Sequence, residues 1–279
     1  MAIVRALLER GADLNKIYYP CVDALSVASS EGHIEVVKLL LTWDVIDKPI
    51  SSKRLARALD HASSYGHLDV VRYLCEHGTE ATSLTSAFRA AIAYNQVEVA
   101  EYLITNGVDL HTADIDNYSP LTLSCRNQLV AMVRLLVAHG ADVNKVDSTG
   151  NLPLQASLLY SGILAVLLEA GADPNIYFTD GSTALLNVFT NYEQAYDVLP
   201  LLLLHGADPN LANADTGYTA LMIAASAVRV DLVRLLLEHG ADVTQVNHAG
   251  TSVVDILGAG PTCAEVVTLC QQYMRPILK

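Results

Sequence analysis

The stretch DTGYTALMIAASAVRVDLVRLLLEHG, Asp215 to Gly240, carries the plan of the whole chain. Gly217 offers a positive-φ position for a tight finger turn. Thr219 is a good N-cap, so the spacing predicts a short first helix over Ala220 to Ala227. A second helix then presents Leu232, Val233, Leu235, Leu236 and Leu237. Such an apolar face is too broad for a helix with one side in water and fits one sandwiched between neighbours. Gly240 closes it in the left-handed C-cap role.

The closing phrase recurs. Aliphatic residues leading into Gly, usually followed by Ala-Asp, occur at Gly11, Gly78, Gly107, Gly140, Gly171, Gly206 and Gly240. From Gly78 onward the steps are 29, 33, 31, 35 and 34 residues. A constant period near 33 marks a stack of helix pairs, each of which buries its apolar face only against its neighbours.

The repeat resembles the ankyrin pattern. The matching residues are Ser119-Pro120-Leu121, Thr183-Ala184-Leu185 and Thr219-Ala220-Leu221 at the first helix, then Gly32-His33 and Gly66-His67 at the turn. Val36-Val37, Val70-Val71 and Val266-Val267 follow in the second helix, with finger glycines at Gly150, Gly181, Gly217 and Gly250. The resemblance implies an all-α ankyrin-repeat solenoid of helix-turn-helix units with short β-hairpin or loop fingers. One domain over 1–279 is expected: a partial repeat at 1–13, repeats at 14–47, 48–80, 81–110, 111–144, 145–175, 176–210 and 211–244, and a capping repeat at 245–279.

The departures carry their own expectations. The family's first-helix His is replaced by Ser26, Asp60, Arg89, Thr122, Gln155, Asn187 and Met222. The 29-residue step predicts a plain loop over Thr79 to Thr85. Lys48, Lys53, Arg54 and Arg57 fall in what reads as an irregular connector with a solvated face. Because proline is tolerated in a first helical turn, Pro200 predicts a second-helix start near Asp197. Residues 1–11 align only with a second helix, so either a preceding part of the protein covers their apolar face, the favoured expectation, or this lone helix serves as a cap.

Composition narrows the function. The formal charge of −13 disfavours a nucleic-acid partner, whose affinity would come from clustered Lys and Arg. No apolar run reaches the roughly 18 residues of a membrane span, and the N-terminus is a poor secretion signal. An intracellular protein, cytoplasmic or nuclear, follows as the expectation. Five cysteines without Cys-x-x-Cys spacing indicate neither a disulfide framework nor a zinc site, and the repeat register accounts for six of the nine histidines. No nucleophile, metalloprotease or phosphate-loop motif is present, so no catalysis, no metal and no cofactor are expected.

What remains is a surface. In the resembled architecture first helices and fingers line a concave face, and the exposed end of each first helix lies just before the turn. There stand Tyr65, Tyr94, Arg126, Asn127, Tyr160, Asn191 and Tyr192, and the finger tips add Tyr118, Tyr177, Phe178 and Tyr218. Tyrosine offers contact area and one polar atom at low entropy cost, which suits an interface anchor. The alternative is that each tyrosine packs over the neighbouring turn. Asp114, Asp116, Asp147, Asp180 and Asp215 beside the tips favour a basic or amphipathic protein segment as partner of a monomeric adaptor. The other reading is a targeting fragment of a larger protein, with a catalytic or channel part elsewhere. The finger asparagines Asn144, Asn175 and Asn210 are expected to bond within their turns. The resemblance also implies that an intracellular asparaginyl hydroxylase could modify them.

Overall fold

The structure, a computed structural model, describes residues 1–13, 23–44, 51–78, 80–111, 118–190, 192–257 and 263–274. They form α1 (Ala2–Glu9), α2 (Ala24–Ser30), α3 (Ile34–Asp44), α4 (Ser52–Tyr65), α5 (Leu68–Glu76), α6 (Ala81–Ala93), α7 (Val97–Thr105), α8 (Pro120–Arg126) and α9 (Val130–Ala138). There follow α10 (Pro153–Ser157), α11 (Ser161–Glu169), α12 (Ala184–Asn187) with a 3₁₀ turn at Val188–Thr190, α13 (Tyr192–Leu204), α14 (Ala220–Ser226), α15 (Val230–Glu238), α16 (Val253–Leu257) and α17 (Ala264–Met274). The chain is an all-α repeat solenoid. It divides into two compact units, Met1–Pro120 with Ala131–Ala141, and Leu121–Val130 with Asp142–Lys279.

In the first unit the inner helices α2, α4 and α6 pack side by side, and α3, α5 and α7 pack behind them. Val70, Val71 and Leu74 of α5 and Val99, Ala100 and Leu103 of α7 are buried. At roughly 1.5–3 kcal/mol for each large aliphatic side chain, this burial is what holds short helices that would not persist alone. In the second unit α14 lies between α12 and α16, α11 packs on α13, and α15 on α17. Five residues of α11, Ile163, Leu164, Val166, Leu167 and Leu168, are buried, as a sandwiched helix requires.

The recurrent Gly-Ala phrase is a Schellman cap. Gly11, Gly107, Gly140, Gly171, Gly206 and Gly240 all lie at φ between 80° and 88°. The next amide donates back to the helix: Ala12 to the Leu7 carbonyl, Ala141 to Leu136, Ala172 to Leu167, Ala207 to Leu202 and Ala241 to Leu236, at 2.9–3.0 Å. The preceding histidines serve the same end. Nδ1 of His77, His205 and His239 lies 2.7–2.9 Å from the carbonyl oxygen four residues back, donating to a carbonyl of the last turn.

Several expectations are corrected. Thr79 lies outside the described residues, but α6 begins at Ala81, so 81–85 is helix rather than loop; the missing finger is absorbed into a longer inner helix. Lys53, Arg54 and Arg57 sit on α4, not in a connector, and Arg54 is buried against Asp23, its Nε 3.3 Å from Oδ2. Asp23, only 1% exposed, also caps α2 by accepting from the Ser26 amide at 2.8 Å. Lys48 lies outside the described residues. The second helix of the sixth pair starts at Tyr192, five residues before Asp197, and runs through Pro200 to Leu204. It gives up one helical bond at the proline, while Val198, Leu199, Leu202 and Leu203 are all buried.

Candidate binding surface

In the first unit, α4 ends at Tyr65 and α6 at Ala93 with Tyr94 as its C-cap, and the two tyrosines are followed by positive-φ residues, Gly66 and Asn95. That sharp turn leaves both rings in solvent, 62% and 63% exposed, on neighbouring inner helices. The outer-helix tyrosines differ. Tyr73 lies beneath Lys38 at 5.8 Å and against His77 at 4.0 Å, and Tyr102 lies beneath Arg72 at 5.4 Å. Those rings are engaged in cation–π pairs, whereas Tyr65 and Tyr94 present bare faces.

Between the inner helices runs a polar row. Asp60 accepts from the Ser86 hydroxyl at 3.0 Å, and its other oxygen is buried without a partner. Burial pushes its carboxyl above the usual range, opposed by the Ser86 hydrogen bond and by His61. Arg89 Nε is likewise buried and unpartnered. Both stand where the repeat pattern carries a histidine.

The second unit treats its aromatics differently. Tyr160 is half-buried and its hydroxyl accepts from the Gln128 amide at 2.8 Å, so it packs over the neighbouring turn. Tyr177 is exposed but donates its hydroxyl to the Ala212 carbonyl at 3.1 Å. Phe178, expected at a finger tip, is only 5% exposed: its backbone pairs with Ser182 to close the turn, and the ring faces inward. Tyr218 is at the margin of exposure, Tyr118 is half-buried, and Arg126 and Asn127 are exposed. Asn191 and the Tyr192 side chain lie outside the described residues, as do Asp114 and Asp116.

The fingers are tight turns, with one isolated antiparallel bridge, Val246 to Ser252, among the described residues. Asp147 Oδ1 accepts from the Thr149 and Asn151 amides, and Asp180 Oδ1 from the Ser182 amide. The Ser182 hydroxyl holds the Asp180 carboxyl below the usual range, so it stays ionised. The asparagines bond outward, not within their turns. Asn144 donates to the Gly171 carbonyl and accepts from the Asp173 amide; Asn175 does the same with Gly206 and Asp208, and Asn210 with Gly240 and Asp242. Each amide therefore joins its finger to the following helix end, using the very groups that a Schellman cap leaves free.

A cleft of about 170 Å³ lies beside the same turns in the second unit, lined among others by Gln155, Leu158, Val188, Gln194 and Val198. Sequence reasoning singled out Gln155 only as a substitute for histidine and did not find Gln194. The 31-residue step from Gly140 to Gly171, shorter than the period, was the available signal.

Among the described residues no group of three or more His, Cys, Asp or Glu side chains could hold a metal ion, and no helix is long and apolar enough to cross a membrane. Cys125 is buried, which pushes its thiol up to about 12, the opposite of an activated nucleophile.

A family model for ankyrin repeats matches three times, over residues 1–85, 87–178 and 158–247. The chain belongs to the ankyrin-repeat family. It is 32% identical over 162 residues to an ankyrin repeat protein of fowlpox virus, covering 55% of this chain and 47% of that one. It is 30% identical over 245 residues to human ankyrin repeat and SOCS box protein 6, covering 77% and 58%. The chain thus spans about half the length of these curated relatives. The ankyrin repeat domain of Bcl-3 superposes with a TM-score of 0.64 over 88% of this chain and 98% of that one, at 20% identity, a likeness of fold. Ankyrin repeats are protein-interaction modules, and that general role holds for this chain.

Proposed function

We propose that this chain is an adaptor that holds a protein partner on its inner-helix and finger face, without chemistry of its own, as an intracellular monomer. The observation that carries the reading is the pair Tyr65 and Tyr94, well over half exposed on adjacent inner helices. Large exposed aromatics on a rigid scaffold lose little entropy on binding, which is why they recur as interface anchors. The ionised Asp180 and the exposed Asp215 favour a basic or amphipathic segment, chiefly through steering.

Changing Tyr65 and Tyr94 to Ala tests this. Each should weaken a partner recovered by pull-down on the order of thirtyfold, about 2 kcal/mol, with the melting temperature unchanged. Unchanged affinity with an intact fold moves the site off this face. A second reading, a targeting part of a larger protein, is favoured by the fraction of the relatives that the chain covers, down to 8% of an Arabidopsis thaliana E3 ubiquitin-protein ligase. A transcript extending the reading frame into a further domain would favour it.

A further inference from the structure

We infer that the inner face of the first unit takes an acidic segment of the protein partner, with an apolar side chain of that segment set against Tyr65 and Tyr94. The inference rests on the adaptor reading, and it gives this unit a ligand of opposite charge to the one that Asp180 and Asp215 favour in the second. It starts from an uneven distribution of charge. The sequence holds 30 Asp and Glu against 17 Lys and Arg, yet three of the cations, Lys53, Arg54 and Arg57, fall close together on the single helix α4.

Helical geometry sorts those three. Leu55, Ala58, Leu59 and Ala62 are buried and define the core side of α4. Arg54 turns to Asp23 and is neutralised there. Lys53, Arg57, His61 and Tyr65 instead follow one another at four-residue intervals, which places them in one row along the helix, away from that core. Lys53 and Tyr65 are exposed, Arg57 and His61 half-buried. The hydrogen bond from Ser86 to Asp60 sets α6 in register beside this row, so that Thr82, Ser86, Ala90 and Tyr94 run alongside it. Those are three short side chains and then the second exposed ring, with the half-buried Arg89 adding a further cation.

The nearby carboxylates do not cancel this charge. Asp23 is buried with Arg54. Asp60 has one oxygen bonded to Ser86 and the other shut off from solvent, and burial raises its carboxyl, which draws its charge back from the surface. Glu31 lies just past α2 and Glu80 just before α6, and Lys53 forms no ion pair with either. What faces outward is a short cationic row that ends in two bare aromatic rings. Its complement is a few negative charges followed by an apolar group. From Lys53 to Tyr65 the row spans about 18 Å, the reach of about five or six extended residues. A cationic patch this short in a chain of formal charge −13 suits a few carboxylates better than the continuous phosphates of a nucleic acid.

The test uses three seven-residue peptides, each with Phe at one end and Glu, Gln or Lys at alternate positions beyond it, made in both chain directions. Backbone amide signals of the intact chain are followed by NMR as each is added. The Glu peptide should shift the amides of α4 saturably, the Gln peptide several-fold more weakly and the Lys peptide not at all, and added salt should weaken the Glu peptide. Lys53→Glu, at an exposed site, should weaken it roughly tenfold with the melting temperature unchanged, whereas Lys145→Glu, at the exposed finger cation of the second unit, should leave it as it was. A flat response to all three peptides overturns the proposal, as does a preference for Gln or Lys, or a Glu peptide indifferent to Lys53→Glu. A short oligothymidylate that shifts the same amides more strongly overturns it in favour of nucleic acid. The adaptor reading is judged separately. A protein partner that is lost with Tyr65→Ala and Tyr94→Ala but is indifferent to Lys53→Glu leaves that reading standing and removes the acidic segment.

Discussion

The two units solve the same problem, how to finish one helix pair and begin the next, by different means. In the first, α4 and α6 have 14 and 13 residues, about two turns beyond the repeat norm, and α6 begins three residues after Gly78. In the second, inner helices have four to seven residues, and the chain goes instead into fingers tied one to the next. The Ala214 amide donates to the Gly181 carbonyl at 2.8 Å and the His248 amide to the Thr216 carbonyl at 3.1 Å. The long helices place Asp23, Arg54 and Asp60 among packed side chains, whereas the fingers spend their polar groups on backbone. A repeat can thus trade a hydrogen-bonded strip for helical turns, and the trade decides where charge is buried.

The largest expected effect attacks the first solution. Arg54→Leu leaves the Asp23 carboxylate buried without its cation and should cost roughly 3 kcal/mol in denaturant unfolding. Adding Asp23→Asn, which keeps a cap for the Ser26 amide, should recover part of that loss. A loss below about 1 kcal/mol for Arg54→Leu would mean that the buried pair matters little to the first unit.

Next comes a matched pair of glycines. A Cβ on Gly217, at φ 73°, would lie 2.6 Å from the His248 backbone nitrogen, which cannot move without opening the finger strip. Gly217→Ala should cost about 2–3 kcal/mol. A Cβ on Gly66, at φ 79°, would meet the end of the Gln96 side chain, which can swing away, losing its 3.0 Å bond to the Ser64 carbonyl. Gly66→Ala should therefore cost only about 1–2 kcal/mol. Equal losses by calorimetry would remove the distinction between a side-chain and a backbone contact.

A smaller effect goes the other way. The turn between helices is held by Gly32, Gly66 and Asn95 in the first unit but by Gln128 and Val228 in the second. Val228, at φ 53°, is β-branched in the left-handed region, the least suited of the five. Val228→Gly should stabilise by about 1 kcal/mol, and a destabilised variant would show that its half-buried side chain outweighs the strain.

The smallest effect concerns Asp60. Its folded-state pKa is raised, so ionisation opposes folding above that value and the opposition fades as pH falls through it. Asp60→Asn, which keeps an acceptor for Ser86, should raise the melting temperature at pH 7 by on the order of 1–2 °C. The advantage should shrink toward pH 4; one that grew on acidification would reverse the sign assigned to this group.

The second unit was the legible one. Its caps and turns rest on single residues with strong backbone preferences, and Gly150, Gly181, Gly217 and Gly250 all adopt the positive φ their spacing implied. Thr219 caps α14 through the Met222 amide at 3.3 Å, and α14 ends within one residue of the expected boundary. The long inner helices were hidden because Ala81 to Thr85 contains nothing that forces either loop or helix. Packing of Phe88, Ala87 and Ala91 decided the matter. At the candidate surface, the exposure of Tyr65 and Tyr94 agrees with their position before the turn. The fate of Tyr160 depended on Gln128, 32 residues away, and no local pattern foretells a partner at that distance.

The finger asparagines have a consequence for how the protein ages. Deamidation begins when the next backbone nitrogen attacks the side-chain carbonyl carbon, which requires the amide to turn freely toward its own main chain. In Asn144, Asn175 and Asn210 both amide atoms are held by the neighbouring repeat, so ring closure must wait for the finger to open. Asn106, followed by Gly107, is held through its amide nitrogen, at the Tyr102 carbonyl, and has no such lock on its oxygen. Peptide mapping of stored protein should show aspartate and isoaspartate accumulating at 106 well before 175. Conversion at the three finger positions then becomes a slow clock for repeat-by-repeat opening.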